Sequence, residues 1–107
     1  MLVLATTGRK SGLTRKTPVT YLPYDGRFLI GGGAGGQKAT PDWVLNLRAL
    51  PKATITVNRL AQSVTVEEPI GPDRDRAFAA LAQRWPSVRR YEQWGGRPLP
   101  LFILRAI

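Results

Sequence analysis

The chain has 107 residues, of which 16 are Lys or Arg and 7 are Asp or Glu, so that its net charge is +9. It contains no cysteine and no histidine, which excludes thiolate nucleophiles, imidazole bases and the usual transition-metal ligands, and we predict no metal site. The length predicts a single domain over residues 1–107, and the lack of a long apolar run or a signal peptide predicts a cytoplasmic protein.

Three strands are predicted before the first helix, at residues 2–6, 17–22 and 27–30. Glycines bound the turn after the first strand, and Asp25-Gly26 is a strong hairpin signal before the third. The glycine-rich run at 31–36 would be poor inside any regular element because glycine loses much chain entropy on folding. We therefore predict a loop or a strand end there.

The first helix is predicted from its capping residues. Thr40 is suited to the N-cap, Pro41 to the first helical position and Asp42 to the positive end of the helix dipole. Trp43 and later leucines then fall on one face, and Pro51 ends the helix.

The rest of the chain predicts two paired strands, two helices and a last strand. The paired strands are placed at 54–57 and 63–67, joined through 58–62, and the helices at 71–85 and 88–94. The apolar run 99–104 predicts a strand buried on both faces. The order βββαββααβ predicts a mostly β protein with helices (α+β), whose about six mainly antiparallel strands close into a small barrel.

The turn between the first two strands is the strongest functional signal. It carries Arg9 and Lys10 between two glycines, and Arg15 follows without an acidic residue in the first 22 positions. Residues 1–60 hold nine cations and two acids, whereas residues 61–107 hold seven and five. Guanidinium groups and turn amides bind phosphate or carboxylate oxygens, so we predict an anion site, with a solvated hairpin turn as the alternative.

Two classes of function fit a basic chain without cysteine or histidine. The first is an enzyme whose difficult chemistry belongs to a bound organic cofactor. The second is a non-enzymatic, basic nucleic-acid-binding β-barrel. The aromatic residues gather near 85–94, away from the basic half, which favours the enzyme.

Further candidates lie beyond the basic turn. The glycines at 33–36 lead toward the helix start, where backbone amides and the dipole could face one ligand. Asn46 lies one turn after Trp43 beside the core stripe, so its amide needs a backbone or ligand partner. The aromatic residues around Pro86 either close the barrel end or enclose a substrate, and Tyr91 is the nearby hydroxyl that could donate a proton.

Taken in order, these segments resemble the deazaflavin-dependent nitroreductase family, split-β-barrel proteins of FMN-binding-like fold that include quinone reductases. The resemblance covers nearly the whole chain. It is carried by Thr6-Thr7-Gly8-Arg9-Lys10-Ser11-Gly12, Thr17-Pro18, Gly35-Gly36, Pro41 with Trp43, Asn46 and Leu47, Pro51-Lys52, Trp85-Pro86-Ser87, Tyr91 with Trp94, and Arg97 with Pro100.

The resemblance implies coenzyme F-420, an 8-hydroxy-5-deazaflavin with a phosphate and an oligoglutamate tail. On the substrate side it implies Trp85, Val88 and Tyr91, with Tyr91 as the catalytic candidate. Its implied cofactor-binding residues are Arg9, Lys10, Arg15, Thr17, Pro18, Gly33, Ala34, Gly35, Gly36, Pro41, Trp43 and Asn46.

The implied activity is hydride transfer from the reduced coenzyme to an electron-poor acceptor such as a quinone, an enone or a nitro compound. An FMN-binding oxidoreductase on the same barrel type is the alternative among enzymes. Gly33 and Ala34 stand where the nitroreductase branch usually has a serine and a lysine, and Trp85 and Val88 stand where it has tyrosines. We expect cofactor binding to survive these departures, whereas nitroreduction stays open.

The resemblance also implies expectations about partners. The family usually has an N-terminal segment before the first strand, and we expect this chain to lack it or to have been trimmed of it. Peripheral membrane contact would come only through that segment. The expected partner is a small-molecule electron acceptor and not a nucleic acid, and the chain is expected to be a monomer or a homodimer.

Overall fold

The computed structural model describes residues 1–32, 40–95 and 98–107, with the backbone alone for 91 and 93–95. No helix in this described part has the length and apolarity that crossing a membrane requires. The elements are β1 (Leu2–Thr7), β2 (Thr14–Val19), β3 (Leu22–Tyr24), β4 (Arg27–Gly31), α1 (Asp42–Ala49), β5 (Lys52–Val57), β6 (Leu60–Glu67), α2 (Gly71–Arg84), α3 (Val88–Gly95) and β7 (Leu101–Ala106).

The described strands form one sheet of seven in the order β2-β1-β5-β6-β7-β4-β3, and every neighbouring pair is antiparallel. Although β2 and β3 are the two edges of this sheet, only residues 20 and 21 separate them. A flat sheet of this kind would be about 29 Å wide, whereas the link from Val19 to Leu22 spans at most about 11 Å. The sheet must therefore curl until its edges approach, which confirms the predicted split barrel.

The predicted strand at 17–22 is wrong in its bounds, because the structure has two strands there. The β1–β2 hairpin pairs Thr7 with Thr14, so β2 begins three residues early and ends at Val19. The chain then crosses to the other edge, where Leu22 pairs with Leu29 of β4. An edge strand can leave its side chains in solvent, so the first residues of β2 are polar. The sequence therefore lacks the apolar alternation from which strands are predicted.

Two tight hairpins are set by residues with positive φ. Asp25 (φ 52°) and Gly26 (φ 73°) connect β3 to β4, as predicted. Between β5 and β6 the turn is only Asn58 (φ 51°) and Arg59 (φ 68°), shorter than the predicted 58–62. Two consecutive left-handed residues reverse the chain at once, so β6 begins at residue 60.

The first helix begins one residue later than its sequence predicts. Pro41, and not Thr40, occupies the N-cap, with φ −59° and ψ 146°, and its carbonyl accepts from the amides of Val44 and Leu45 at 3.1 and 3.4 Å. A Cβ on Gly32 would lie 2.7 Å from Val44 Cγ2. The end of β4 thus packs directly on α1, which requires glycine at position 32.

Alternate residues of β4 and β7 belong to two hydrophobic clusters on opposite faces of the sheet. This arrangement confirms that the last strand is buried on both faces, although it runs over 101–106 and not 99–104. The inner cluster includes Leu2, Leu4, Ile30, Phe102 and Leu104 with Trp43, Val44 and Leu47 of α1. The outer cluster includes Leu29, Leu101 and Ile103 with Ala77 and Leu81 of α2.

Two ion pairs fix the helices to the rest of the fold. Arg48 at the end of α1 donates to both carboxylate oxygens of Glu68, at 3.1 and 2.8 Å, and this hydrogen bonding raises the pKa of Arg48. Arg74 of α2 donates to Glu92 of α3 at 2.8 Å and to the Leu99 carbonyl at 2.9 Å, and the Leu99 amide donates to the same carboxylate. The contacts of Arg74 and Glu92 together hold α3 against α2 and against the segment that leads into β7.

Candidate cofactor-binding site

A cleft of about 630 Å³ opens between the β1–β2 turn, the edge strand β2 and the start of α1. We refer to it as the basic cleft, because four of its described lining residues are cationic and one is acidic. Its lining residues are Gly8, Arg9, Lys10, Ser11, Thr14, Arg15, Lys16, Thr17, Asp42, Trp43 and Asn46.

The turn at one end of the cleft is shaped by its own hydrogen bonds. The Gly8 amide donates to the Leu13 carbonyl and the Gly12 amide to the Gly8 carbonyl, both at 2.8 Å. The Leu13 amide donates to Ser11 Oγ at 3.2 Å. A Cβ on Gly8 would lie 2.8 Å from that oxygen, and Gly12 has φ +73°. The turn therefore depends on both glycines, and it carries Arg9 and Lys10 between them.

The strand register explains which residues of β2 face the cleft. Leu4 and Thr6 of β1 are buried, and they pair with Thr17 and Arg15. Directly opposite residues of an antiparallel pair share a face. Arg15 and Thr17 therefore lie on the inner face of the sheet at its open edge, whereas Lys16 between them borders the cleft from the outer face.

Most of the positive charge in the basic cleft lacks an internal counter-ion. Arg9 Nη2 lies 3.4 Å from Asp42 Oδ1, and the Asp42 side chain is 85% exposed. Within the described ranges, no carboxylate lies within ion-pair distance of Lys10, Arg15 or Lys16. All three are exposed. The cleft thus has an excess of positive charge that an anionic ligand could neutralise.

A buried amide connects the turn to α1. Asn46, which is 2% exposed, accepts at Oδ1 from the Arg9 backbone N–H at 3.1 Å and from Arg9 Nη1 at 3.0 Å. Its Nδ2 donates to Thr6 Oγ1 at 3.3 Å. The sequence predicts that this amide needs a partner, and the structure shows that Arg9 and Thr6 are its partners. An amide nitrogen carries two N–H donors, so one N–H of Nδ2 has no partner among these contacts.

Comparison with known proteins identifies the family of this chain. A family model described as F420H2-dependent quinone reductase matches residues 1–106. The chain belongs to this family. The family is one of oxidoreductases that use coenzyme F-420, so the predicted enzyme class and cofactor are confirmed at that level.

Individual relatives and solved structures resemble the chain over most of their length. An F420H2-dependent quinone reductase of Mycobacterium tuberculosis is 32% identical over 106 residues, which are 96% of this chain and 71% of that protein. A solved structure of an F420-H2 dependent reductase (FDR-A) has a TM-score of 0.86 at 25% identity and covers 97% of this chain and 92% of its own. A second, described as a domain-swapped dimer, has the same TM-score and identity and covers 97% and 78%.

The donors in the basic cleft fit the cofactor of this quinone reductase family. Three cations that have no carboxylate partner among the described residues suit a ligand with several negative charges, such as a phosphate followed by carboxylates. Asp42 and Trp43 begin α1, so the positive end of the helix dipole lies at the same cleft. The hydroxyls of Ser11 and Thr17 add neutral donors along the wall.

The predicted cofactor residues divide into three groups. Those lining the basic cleft are Arg9, Lys10, Arg15, Thr17, Trp43 and Asn46. Two others are not among the lining residues: Pro41 is the α1 N-cap, and Pro18 pairs with Val3 on the exposed outer face. The predicted contacts at Gly33, Ala34, Gly35 and Gly36 lie outside the described residues.

Two of the predicted substrate residues, Trp85 and Val88, are not among the lining residues of the basic cleft. Trp85 and Val88 are half-buried and pack against the outer cluster, and the Arg84 guanidinium lies 4.9 Å from the Trp85 ring centroid. Tyr91 belongs to the backbone of α3, but its side chain lies outside the described residues. The structure therefore brings six of the twelve predicted cofactor residues together around one cleft, and their contacts with the cofactor and the whole substrate side stay predictions.

Four further residues with side chains line the cleft and are absent from the predicted site, and these are Ser11, Thr14, Lys16 and Asp42. Lys16 had a signal, because it follows Arg15 in a stretch without acids. Asp42 was interpreted only as a helix-start residue. Its position in the cleft follows from how α1 docks on the turn, which local sequence does not encode.

Proposed function

We propose that this chain binds coenzyme F-420 in the basic cleft and reduces an electron-poor acceptor, with quinones as the first substrate class. The observation that carries the proposal is the excess positive charge of Lys10, Arg15 and Lys16 at the start of α1, in a chain of this reductase family. The long anionic tail of the cofactor would explain why these three cations have no carboxylate partner in the part of the chain that the structure describes.

The cationic residues are assigned to the tail and the phosphate. Arg15 is supported by its position on the inner face beside buried Thr6, and Lys10 by its place on the turn. A guanidinium binds two oxygens of a phosphate or carboxylate in one plane, whereas an ammonium acts as a point charge. We assign Arg15 a directional contact and Lys10 and Lys16 a general electrostatic attraction.

The ring of the cofactor is assigned to the end of the cleft near Trp43 and Thr17. The Trp43 side chain is largely buried and its indole packs against Phe102, with ring centroids 6.0 Å apart. A wall held in this way can fix the orientation of a flat ring. When bound in its reduced form, the deazaflavin supplies a hydride, so the protein needs no cysteine or histidine nucleophile.

The acceptor side rests on the sequence. We assign Trp85 and Val88 to acceptor contacts and Tyr91 to proton donation or polarisation of the acceptor oxygen. Enones and nitro compounds are secondary acceptors in this proposal. A cytoplasmic location and a monomeric or homodimeric state stay predictions.

An activity measurement tests the proposal. The purified chain is incubated with reduced coenzyme F-420 and a soluble quinone without oxygen, and oxidation of the coenzyme is followed by absorbance. We expect protein-dependent oxidation that saturates in both substrates, and a slower rate for Tyr91→Phe. Turnover with reduced FMN and none with reduced coenzyme F-420 would contradict the proposal and favour the FMN alternative.

A further inference from the structure

Thr6, Arg9 and Asn46 come from a strand, a turn and a helix, and they meet in one hydrogen-bonded network. We infer that Asn46 is a positioning residue that fixes Arg9 as the preformed anion receptor of the basic cleft, with Thr6 holding the amide in place. This inference rests on the proposed function, because the anion to be received is that of the cofactor.

The orientation of the Asn46 amide is determined by its partners. Both contacts to its oxygen come from N–H donors of Arg9, and the contact to its nitrogen goes to the Thr6 hydroxyl. A flipped amide would direct an NH2 group at two donors of Arg9, which is unfavourable. The network thus has one arrangement, and that arrangement fixes both the backbone and the guanidinium of Arg9.

Arg9 differs from the other cations of the cleft in this respect. Its side chain is only 26% exposed and is held by Asn46 at Nη1 and by Asp42 at Nη2. A guanidinium has five N–H donors, and the contacts with Asn46 and Asp42 use two of them. The other three can bind a ligand. Because the guanidinium is already held, a ligand that contacts it loses little side-chain entropy on binding. No comparable side-chain contact within the described ranges holds Lys10, Arg15 or Lys16.

Thr6 provides an indirect way to perturb this receptor. It is 2% exposed and is not among the lining residues of the basic cleft, so it cannot contact a ligand there. Its hydroxyl reaches the cleft only through the Asn46 amide. Thr6 also stands opposite Arg15 in the β1–β2 hairpin, so the substitution has to keep the shape of its side chain. Thr6→Val removes only the hydroxyl that bonds to Asn46, and its effect on anion binding therefore passes through Asn46, apart from a general loss of stability.

The test combines a double-mutant cycle with this indirect variant. The variants are Arg9→Ala, Asn46→Ala, the double variant Arg9→Ala/Asn46→Ala, and Thr6→Val. Thr7→Val is the matched control, since Thr7 is the next residue of β1 but is exposed on the opposite face. Affinities for coenzyme F-420 and for inorganic pyrophosphate are measured by calorimetry. Exchange of the Arg9 amide hydrogen is followed by NMR.

If Asn46 acts through Arg9, its effect depends on Arg9 being present. We expect Asn46→Ala to lower the affinity for coenzyme F-420 about tenfold and Arg9→Ala about tenfold to a hundredfold, with the double variant within about twofold of Arg9→Ala alone. Thr6→Val should lower it about threefold and Thr7→Val should not change it. The Arg9 amide should exchange faster in Asn46→Ala and Thr6→Val.

The outcomes separate this inference from the function on which it rests. Fully additive effects of Arg9→Ala and Asn46→Ala would make Asn46 an independent ligand contact and overturn the positioning role. Unchanged affinity and amide exchange in Thr6→Val would overturn it even if Asn46→Ala does not fold. A wild-type protein that binds neither anion would instead overturn the proposed function, and with it the role of Arg9 as receptor.

Discussion

Arg15 stands directly opposite Thr6 in the β1–β2 hairpin, so a cation shares the inner face of the sheet with a residue that is only 2% exposed. Edge strands commonly carry charge to prevent pairing with other chains. Here the charge faces inward at the mouth of a cleft, where we propose that it also binds the ligand. This placement makes Arg15 the cation whose removal we expect to be most informative.

Replacing Arg15 with Ala should weaken the binding of coenzyme F-420 by about 1.5 to 3 kcal/mol, because a charge-assisted hydrogen bond is lost. Calorimetric titration measures the change. Arg105→Ala is the control, since Arg105 is an exposed cation on β7 outside the basic cleft. Equal losses in the two variants would show that only the net charge matters and would remove Arg15 from the site.

Replacing Asp42 with Asn should tighten binding of the anionic cofactor. Asp42 is the one carboxylate among the lining residues, and it lies 3.4 Å from the Arg9 guanidinium. Its removal leaves the cations uncompensated, and we expect the affinity to rise about two- to fivefold at low salt. The gain should shrink as the salt concentration is raised. A weaker affinity in Asp42→Asn would mean that the carboxylate organises Arg9 more than it repels the ligand.

The basic turn was predictable because its signals are local. The glycines and the cations lie within the first 16 residues, which contain no acidic residue. The structure places Gly8 and the four cations around one cleft. The role of Asn46 was only half predictable: the sequence shows an amide beside a core stripe, but its partners lie 37 and 40 residues away. Contacts at such separation depend on how α1 docks against β1, which no local pattern contains.

The strand bounds failed for a related reason. Apolar alternation identifies strands that have one buried face. The start of β2 shows no such alternation, because all three residues from Thr14 to Lys16 are polar and exposed. Its pairing with β1 is fixed by the turn. The hairpin at Asn58 and Arg59 was likewise predicted too long, since an arginine with positive φ is uncommon.

The two glycines of the turn should respond differently to substitution. Gly8→Ala would bring a Cβ within 2.8 Å of Ser11 Oγ and 3.1 Å of the Leu13 carbonyl, so the turn must shift. We expect a loss of about 1–3 kcal/mol in the free energy of unfolding and weaker binding. Gly12→Ala meets no atom within 4 Å but has φ +73°, so we expect a loss of about 1 kcal/mol with binding retained.

Chemical denaturation and titration of both glycine variants check this contrast. Equal effects on affinity would show that the turn tolerates a shift at Gly8 and does not present Arg9 and Lys10 in a defined way.

Replacing Trp85 with Ala should separate stability from cofactor binding. Trp85 packs against the outer cluster and not in the basic cleft, so we expect the free energy of unfolding to fall by about 2 kcal/mol. The Kd for coenzyme F-420 should stay unchanged, whereas the KM for the quinone should rise if Trp85 contacts the acceptor. A large increase in the cofactor Kd would place the cofactor nearer α3 than we propose.

Equilibrium titration of the wild-type chain with oxidised coenzyme F-420 and with FMN, at low and at high salt, tests the central claim most directly. The basic cleft predicts micromolar binding of coenzyme F-420 that weakens steeply with salt, because several charges are neutralised at once, and much weaker binding of FMN. Micromolar binding of FMN with no binding of coenzyme F-420 would contradict the account.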